Sequence, residues 1–168
     1  AITQSGAVVT TSGGNVTYTG AGAYSQSGAL TSAGSITQTG GTSVSVTGAT
    51  QAAGAISYSG SGAVSNGTNG TISSTGSSVT LASTGSTMAL AKNVSAATSV
   101  SISQTGTYSG AGAIAANGGT LSITGGTTVA PTGNLTSTGD MTLSGSDRLT
   151  LSSITAEVTG TGAINLTG

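Results

Sequence analysis

The chain has 168 residues, of which 30 are Gly, 33 Thr and 29 Ser, so three small residue types fill 92 positions. Its charged side chains are Lys92, Arg148, Asp140, Asp147 and Glu157, the net charge is −1, and His, Cys, Trp and Phe are absent. That inventory holds no thiolate or imidazole for nucleophilic or zinc chemistry, too few carboxylates for paired acid–base hydrolysis, and too few cations to neutralise a run of phosphates. No enzyme, cofactor, metal site or nucleic-acid partner is therefore expected.

Gly and Ser enrichment with few aromatics is also the signature of disorder. Two features oppose that reading. Charge and Pro, which keep disordered chains soluble, are nearly missing, with one Pro at 131. The Val, Ile and Leu residues also alternate strictly with polar ones. No apolar run approaches the ~18 residues of a membrane span, and no charged-then-apolar leader opens the chain. The chain begins at Ala1 rather than Met, which suggests a processed product or a piece of something longer. Many hydroxyls, no Cys and almost no charge point to a secreted, extracellular or cell-surface protein.

In chain order, Ile2-Thr3-Gln4 is the first apolar–hydroxyl element. Val16-Thr17-Tyr18-Thr19-Gly20 follows, and Ile36-Thr37-Gln38-Thr39-Gly40 and Ile56-Ser57-Tyr58-Ser59-Gly60 repeat it at a spacing of 20. Interleaved with these, Tyr24-Ser25-Gln26, Val44-Ser45-Val46 and Val64-Ser65-Asn66 form a second register, also 20 apart. Residues 66–78 break the phase, because Asn66-Gly67-Thr68-Asn69-Gly70 inserts a turn-rich stretch that we read as an irregular coil within one domain, 1–168. Val79-Thr80-Leu81, Val100-Ser101-Ile102, Leu121-Ser122-Ile123 and Met141-Thr142-Leu143 then follow at steps of 21, 21 and 20, and Ile164-Asn165-Leu166 after 23.

Alternation of period two between Gly-, Asn- and Ser-rich turns marks strands with one buried face. No segment carries a 3.6-residue apolar period, so helix is not expected. An antiparallel sandwich would have short strands as well, but its strands are not stacked copies and would not recur at a fixed spacing. The expectation is an all-β parallel β-solenoid of about eight coils with a period of 20–21 residues. At about 4.8 Å per coil it makes a rod on the order of 40 Å long. Val16, Ile36 and Ile56, and then Leu81, Ile102, Ile123 and Leu143, are the expected inward ladders, and Thr and Ser the outward ones. So narrow a coil is expected to crowd aromatic rings. Gln4, Gln26 and Gln38 also fall on inward positions, where amide ladders and packing against a partner are both open.

Gly133-Asn134-Leu135-Thr136-Ser137-Thr138-Gly139-Asp140-Met141-Thr142-Leu143-Ser144-Gly145 and Gly162-Ala163-Ile164-Asn165-Leu166-Thr167-Gly168 resemble the repeats of filamentous haemagglutinin-type bacterial surface adhesins. The resemblance implies a right-handed parallel β-helix and a stalk-like role. It carries over no functional residue, and the family's amino-terminal secretion domain is not evident.

Asn15, Asn66, Asn69, Asn93, Asn134 and Asn165 each begin an Asn-x-Ser/Thr sequence, six of the seven asparagines. They are candidate glycosylation sites. The alternative is mechanical: Asn favours the turn, the next residue points in, and the hydroxyl points out. Thr-x-Thr pairs at 17 and 19, 37 and 39, 105 and 107, 136 and 138, and 159 and 161 invite an ice-binding reading, but along the sequence they do not hold one phase. Asp140, Asp147, Arg148 and Glu157 are expected to be solvated turn residues rather than a lyase or calcium site. Both ends of the chain read as ordinary coil material. The expected partner is self, as an end-to-end polymer or a continuing solenoid, with a surface receptor as a further possibility. A pilin-like subunit joined by strand exchange is the competing fibre.

Overall fold

The computed structural model describes residues 1–85 and 87–168. Its strands form three sheets of eight strands each, every pairing is parallel, and each coil gives one strand to each sheet. The chain is thus a parallel β-solenoid of about eight coils with a period near 21 residues.

The first sheet stacks Ile2–Gln4, Tyr24–Gln26, Val44–Val46, Val64–Asn66, Met88–Leu90, Tyr108–Gly110, Thr128–Pro131 and Arg148–Leu149. The second stacks Val8–Val9, Leu30–Ser32, Thr50–Ala52, Ile72–Ser74, Val94–Ala96, Ile114–Ala116, Leu135–Ser137 and Ala156–Val158. The third stacks Val16–Thr19, Ile36–Thr39, Ile56–Gly60, Val79–Ser83, Val100–Gln104, Leu121–Gly125, Met141–Gly145 and Ile164–Thr167. Its strands reach five residues, whereas those of the second sheet are two or three.

Corner lengths set the period. From Tyr24 to Leu30 is six residues, from Leu30 to Ile36 six, and from Ile36 to Val44 eight, which sum to 20. In the fourth coil the same three steps, Val64 to Ile72, Ile72 to Val79 and Val79 to Met88, are eight, seven and nine, or 24. The added residues lie at the corners, one of them Thr68 with a left-handed φ of 52°, so alternation within the strands survives. Register therefore passes through this coil unbroken, with Ile56 opposite Val79 and Tyr58 opposite Leu81. The apolar triplets of the two halves are consequently one sheet. Val16, Ile36, Ile56, Val79, Val100, Leu121, Met141 and Ile164 form one inward column, and Leu81, Ile102, Ile123 and Leu143 belong to the column beside it.

The core is a thin apolar strip along the axis, and all the inward-ladder residues expected from the sequence are buried in it. The tyrosines correct the expectation that rings would be crowded out. Tyr24, Tyr58 and Tyr108 are fully buried, and Tyr24 packs against Tyr18 and Tyr58 with centroids 5.1 and 6.0 Å away. The Tyr58 hydroxyl reaches Gln26 and Thr50 across the strip, and the second inward position of the second sheet is small throughout, held by Ser32, Ala52, Ser74, Ala96, Ala116 and Ser137.

Gln4, Gln26 and Gln38 form neither an amide ladder nor a face for a partner. Each turns onto the corner that follows it: Gln4 Nε2 donates to the Gly6 carbonyl, Gln26 Nε2 to Gly28 at 3.3 Å, and Gln38 Nε2 to Gly40 at 2.6 Å. Two buried serines instead donate to corners of the preceding coil, Ser74 to the Gly54 carbonyl at 2.7 Å and Ser83 to Gly62 at 2.6 Å. A buried polar side chain is tolerated where it satisfies a turn carbonyl that no ladder reaches. At the corner between the third and first sheets, Gly41 has φ +97°, and a side chain there would press on the Gly22 carbonyl.

Candidate functional surfaces

The Asn-x-Ser/Thr sequences fall into distinct structural classes. Asn15, Asn93 and Asn134 each sit immediately before a strand and are exposed. In each, Oδ1 accepts from the backbone N–H of the equivalent residue one coil further on: Ser35 at 2.7 Å, Ala113 at 3.0 Å and Thr155 at 3.0 Å. Asp140 does the same for Ala163 at 2.8 Å. Asn69 is exposed in the long corner of the fourth coil, and Asn165 is exposed within the last strand. Asn66 differs from all of these. It points inward at 3% exposure, its Nδ2 donates to the Lys92 carbonyl at 3.0 Å, and its Oδ1 accepts from the Lys92 N–H at 3.0 Å. Both ends of its amide are committed inside the rod, where a glycan has no room.

Placement of these residues accounts for part of the sequon frequency. A turn Asn, an inward apolar residue and an outward hydroxyl are three consecutive positions at the start of a strand, as in Asn15-Val16-Thr17, Asn93-Val94-Ser95 and Asn134-Leu135-Thr136.

The outer face of the third sheet carries two columns of side chains in register. One runs Thr17, Thr37, Ser57, Thr80, Ser101, Ser122, Thr142 and Asn165. In the other, Thr19 and Thr39 are followed by Ser59, Ala82, Ser103, Thr124, Ser144 and Thr167. Fourteen of the sixteen positions bear a hydroxyl and none bears a charge. Of the Thr-x-Thr pairs noted in the sequence, those at 17 and 19 and at 37 and 39 lie here. Thr105, Thr107, Thr138, Thr159 and Thr161 lie at corners or between strands. The expected outward Thr and Ser ladders are thus present on this sheet, although Thr-x-Thr spacing alone does not trace them, because coil lengths vary at the corners and Ser substitutes for Thr.

Asp147, Arg148 and Glu157 are exposed, as is Asp140. Among the described residues no three of His, Cys, Asp and Glu gather into a group that could hold a metal ion, and no helix is long and apolar enough to cross a membrane. A groove of about 450 Å³ follows the corner between the third and first sheets, where Gly40, Gly41, Gly60, Ser61 and Thr84 line it. Its lining holds no titratable side chain.

At the last coil, Ile164 and Leu166 occupy inward positions yet are 43% and 51% exposed, because no coil covers them. Comparison with protein-family models, with curated proteins and with solved structures gives no match to this chain.

Proposed function

We propose that the chain is a structural rod of an extracellular or cell-surface fibre, resembling the stalk of a filamentous adhesin and assembling end to end or within a longer solenoid. The observation that carries this reading is the one-to-one parallel register of all three sheets over eight coils. Along the strands, inward residues build the core ladders, outward ones carry mostly hydroxyls on the third sheet, and the corners between them are rich in Gly. Terminal coils share the three-strand cross-section of the interior ones, so another coil can add to them by the same backbone pairing.

Secretion, a non-catalytic role and glycosylation at the exposed asparagines belong to this proposal. Strand exchange between pilin-like subunits has less support, because each strand pairs with its equivalent one coil away rather than leaving a groove for a donor. Electron microscopy and fibre diffraction of the purified protein test the proposal. Thin rods with an axial repeat of about 4.8 Å are expected, whereas beaded globular units would overturn it.

A further inference from the structure

From the two columns on the third sheet, we propose a second activity: this face binds the surface of ice. Strand geometry fixes the lattice of the array. Neighbouring coils are about 4.8 Å apart, and alternate residues along a strand about 6.6 Å. Ice supplies a comparable lattice. With hydrogen-bonded oxygens about 2.75 Å apart, two oxygens bonded tetrahedrally to a third lie about 4.5 Å from one another, and the repeat along the hexagonal axis is about 7.3 Å. The mismatch is about 0.3 Å per coil in one direction and about 0.7 Å across the pair in the other, so hydroxyls keep step with ice oxygens over roughly three to four coils.

Chemistry of the face agrees with its spacing. Eight of the sixteen positions are Thr, whose methyl beside the hydroxyl excludes water between anchoring points, and six are Ser. Ionised groups would orient water against a neutral lattice, and neither column contains one. Few of these hydroxyls are spent on the protein; Ser59 and Thr124 reach backbone carbonyls only at 3.4 and 3.5 Å. The first and second sheets, with strands of two to four residues, lack a second full column.

Ice-growth assays with the whole chain test this activity, reading thermal hysteresis and partition into slowly growing ice. The unaltered chain is expected to slow growth and to enter the ice. Thr80→Tyr and Ser101→Tyr, both at exposed positions mid-array, are expected to abolish both effects, while Gln51→Tyr on the outer face of the second sheet retains them. Circular dichroism and the melting temperature show that each variant is folded; should either tyrosine variant unfold, Ser101→Lys takes its place. Exclusion of the unaltered chain from ice overturns the proposal. So does activity that survives the third-sheet variants or is lost equally in Gln51→Tyr. Rods seen by microscopy without ice activity leave the fibre reading standing, so the two can fail separately.

Discussion

The Tyr58 hydroxyl on the third sheet donates to Gln26 Oε1 on the first sheet, one coil earlier, at 2.8 Å. Tyr24 donates to the same oxygen at 3.2 Å, Gln26 Nε2 donates to Thr50 Oγ1 at 2.8 Å, and Thr50 lies 3.3 Å from the Tyr58 hydroxyl. One buried polar knot therefore ties all three sheets across two coils. Replacing Gln26 with Leu strands two phenol groups in an apolar strip, at a cost of about 1–3 kcal/mol for each that finds no other partner. Chemical denaturation of Gln26→Leu should show that loss, and adding Tyr58→Phe should recover part of it. Full additivity would mean the two groups are not coupled.

Alkaline pH should unfold the rod. Burial raises the ionisation of Tyr24, Tyr58 and Tyr108 well above the ordinary phenol range, so the folded state holds their protons more tightly than the unfolded chain does. Stability contributed by these groups is full below the unfolded value of about 10 and is lost as pH climbs above it toward the folded values. Tyrosinate absorbance followed together with circular dichroism checks the sign. Ionisation of the three should coincide with unfolding, and Tyr18, whose shift also comes from burial but whose ring is only partly covered, should titrate first.

Asn66 should remain unmodified in any glycosylated preparation, with glycans restricted to Asn15, Asn69, Asn93, Asn134 and Asn165. Peptide mass spectrometry decides this site by site. Asn66→Ala should also cost about 1–3 kcal/mol, because the Lys92 N–H and carbonyl lose partners in the interior. Asn93→Ala, which frees one exposed N–H to water, should cost less.

Removing a whole coil should preserve the fold. Deletion of residues 88–107 takes out 20 residues between equivalent positions and joins Thr87 to Tyr108, so a rod shorter by about 4.8 Å should still melt cooperatively. Deleting residues 88–97, half a coil, should abolish the transition.

Gly126 approaches the Thr105 backbone so closely that a methyl group would overlap its carbonyl, whereas a methyl on Gly67 would meet nothing. Gly126→Ala should destabilise by about 1–3 kcal/mol through forced backbone movement. Gly67→Ala, in the long corner of the fourth coil, should fall within about 0.5 kcal/mol of the parent.

Legibility in the sequence followed strand length. On the third sheet, strands such as Val100–Gln104 place two apolar residues around one hydroxyl, and that triplet announces itself at each recurrence. The second sheet was hidden because Leu30-Thr31-Ser32 and Thr50-Gln51-Ala52 offer little apolar alternation, although Leu30, Thr50 and Ala52 are all buried. Tyr58 was misjudged because cross-section is a property of facing residues, here Gln26 and Thr50, that are not near it in sequence. Outward Ser and Thr ladders were legible as a consequence of the period, but their unbroken pairing into two columns was not, because the variable corners between one coil and the next shift the sequence spacing while leaving spatial register unchanged.

Parallel stacking also dictates how the rod bears load. The hydrogen bonds that join coils run along the axis, so tension applied at the two ends pulls directly on them and opens each ladder from its edge, as a zipper opens, instead of shearing many bonds at once. Each coil that yields releases about 20 residues, or roughly 65–70 Å of extended chain. A rod of this build, carried in a tether, would lengthen in small discrete steps, dissipating a pull gradually and offering the peeled edge as a template on which the coil rewinds when the force drops.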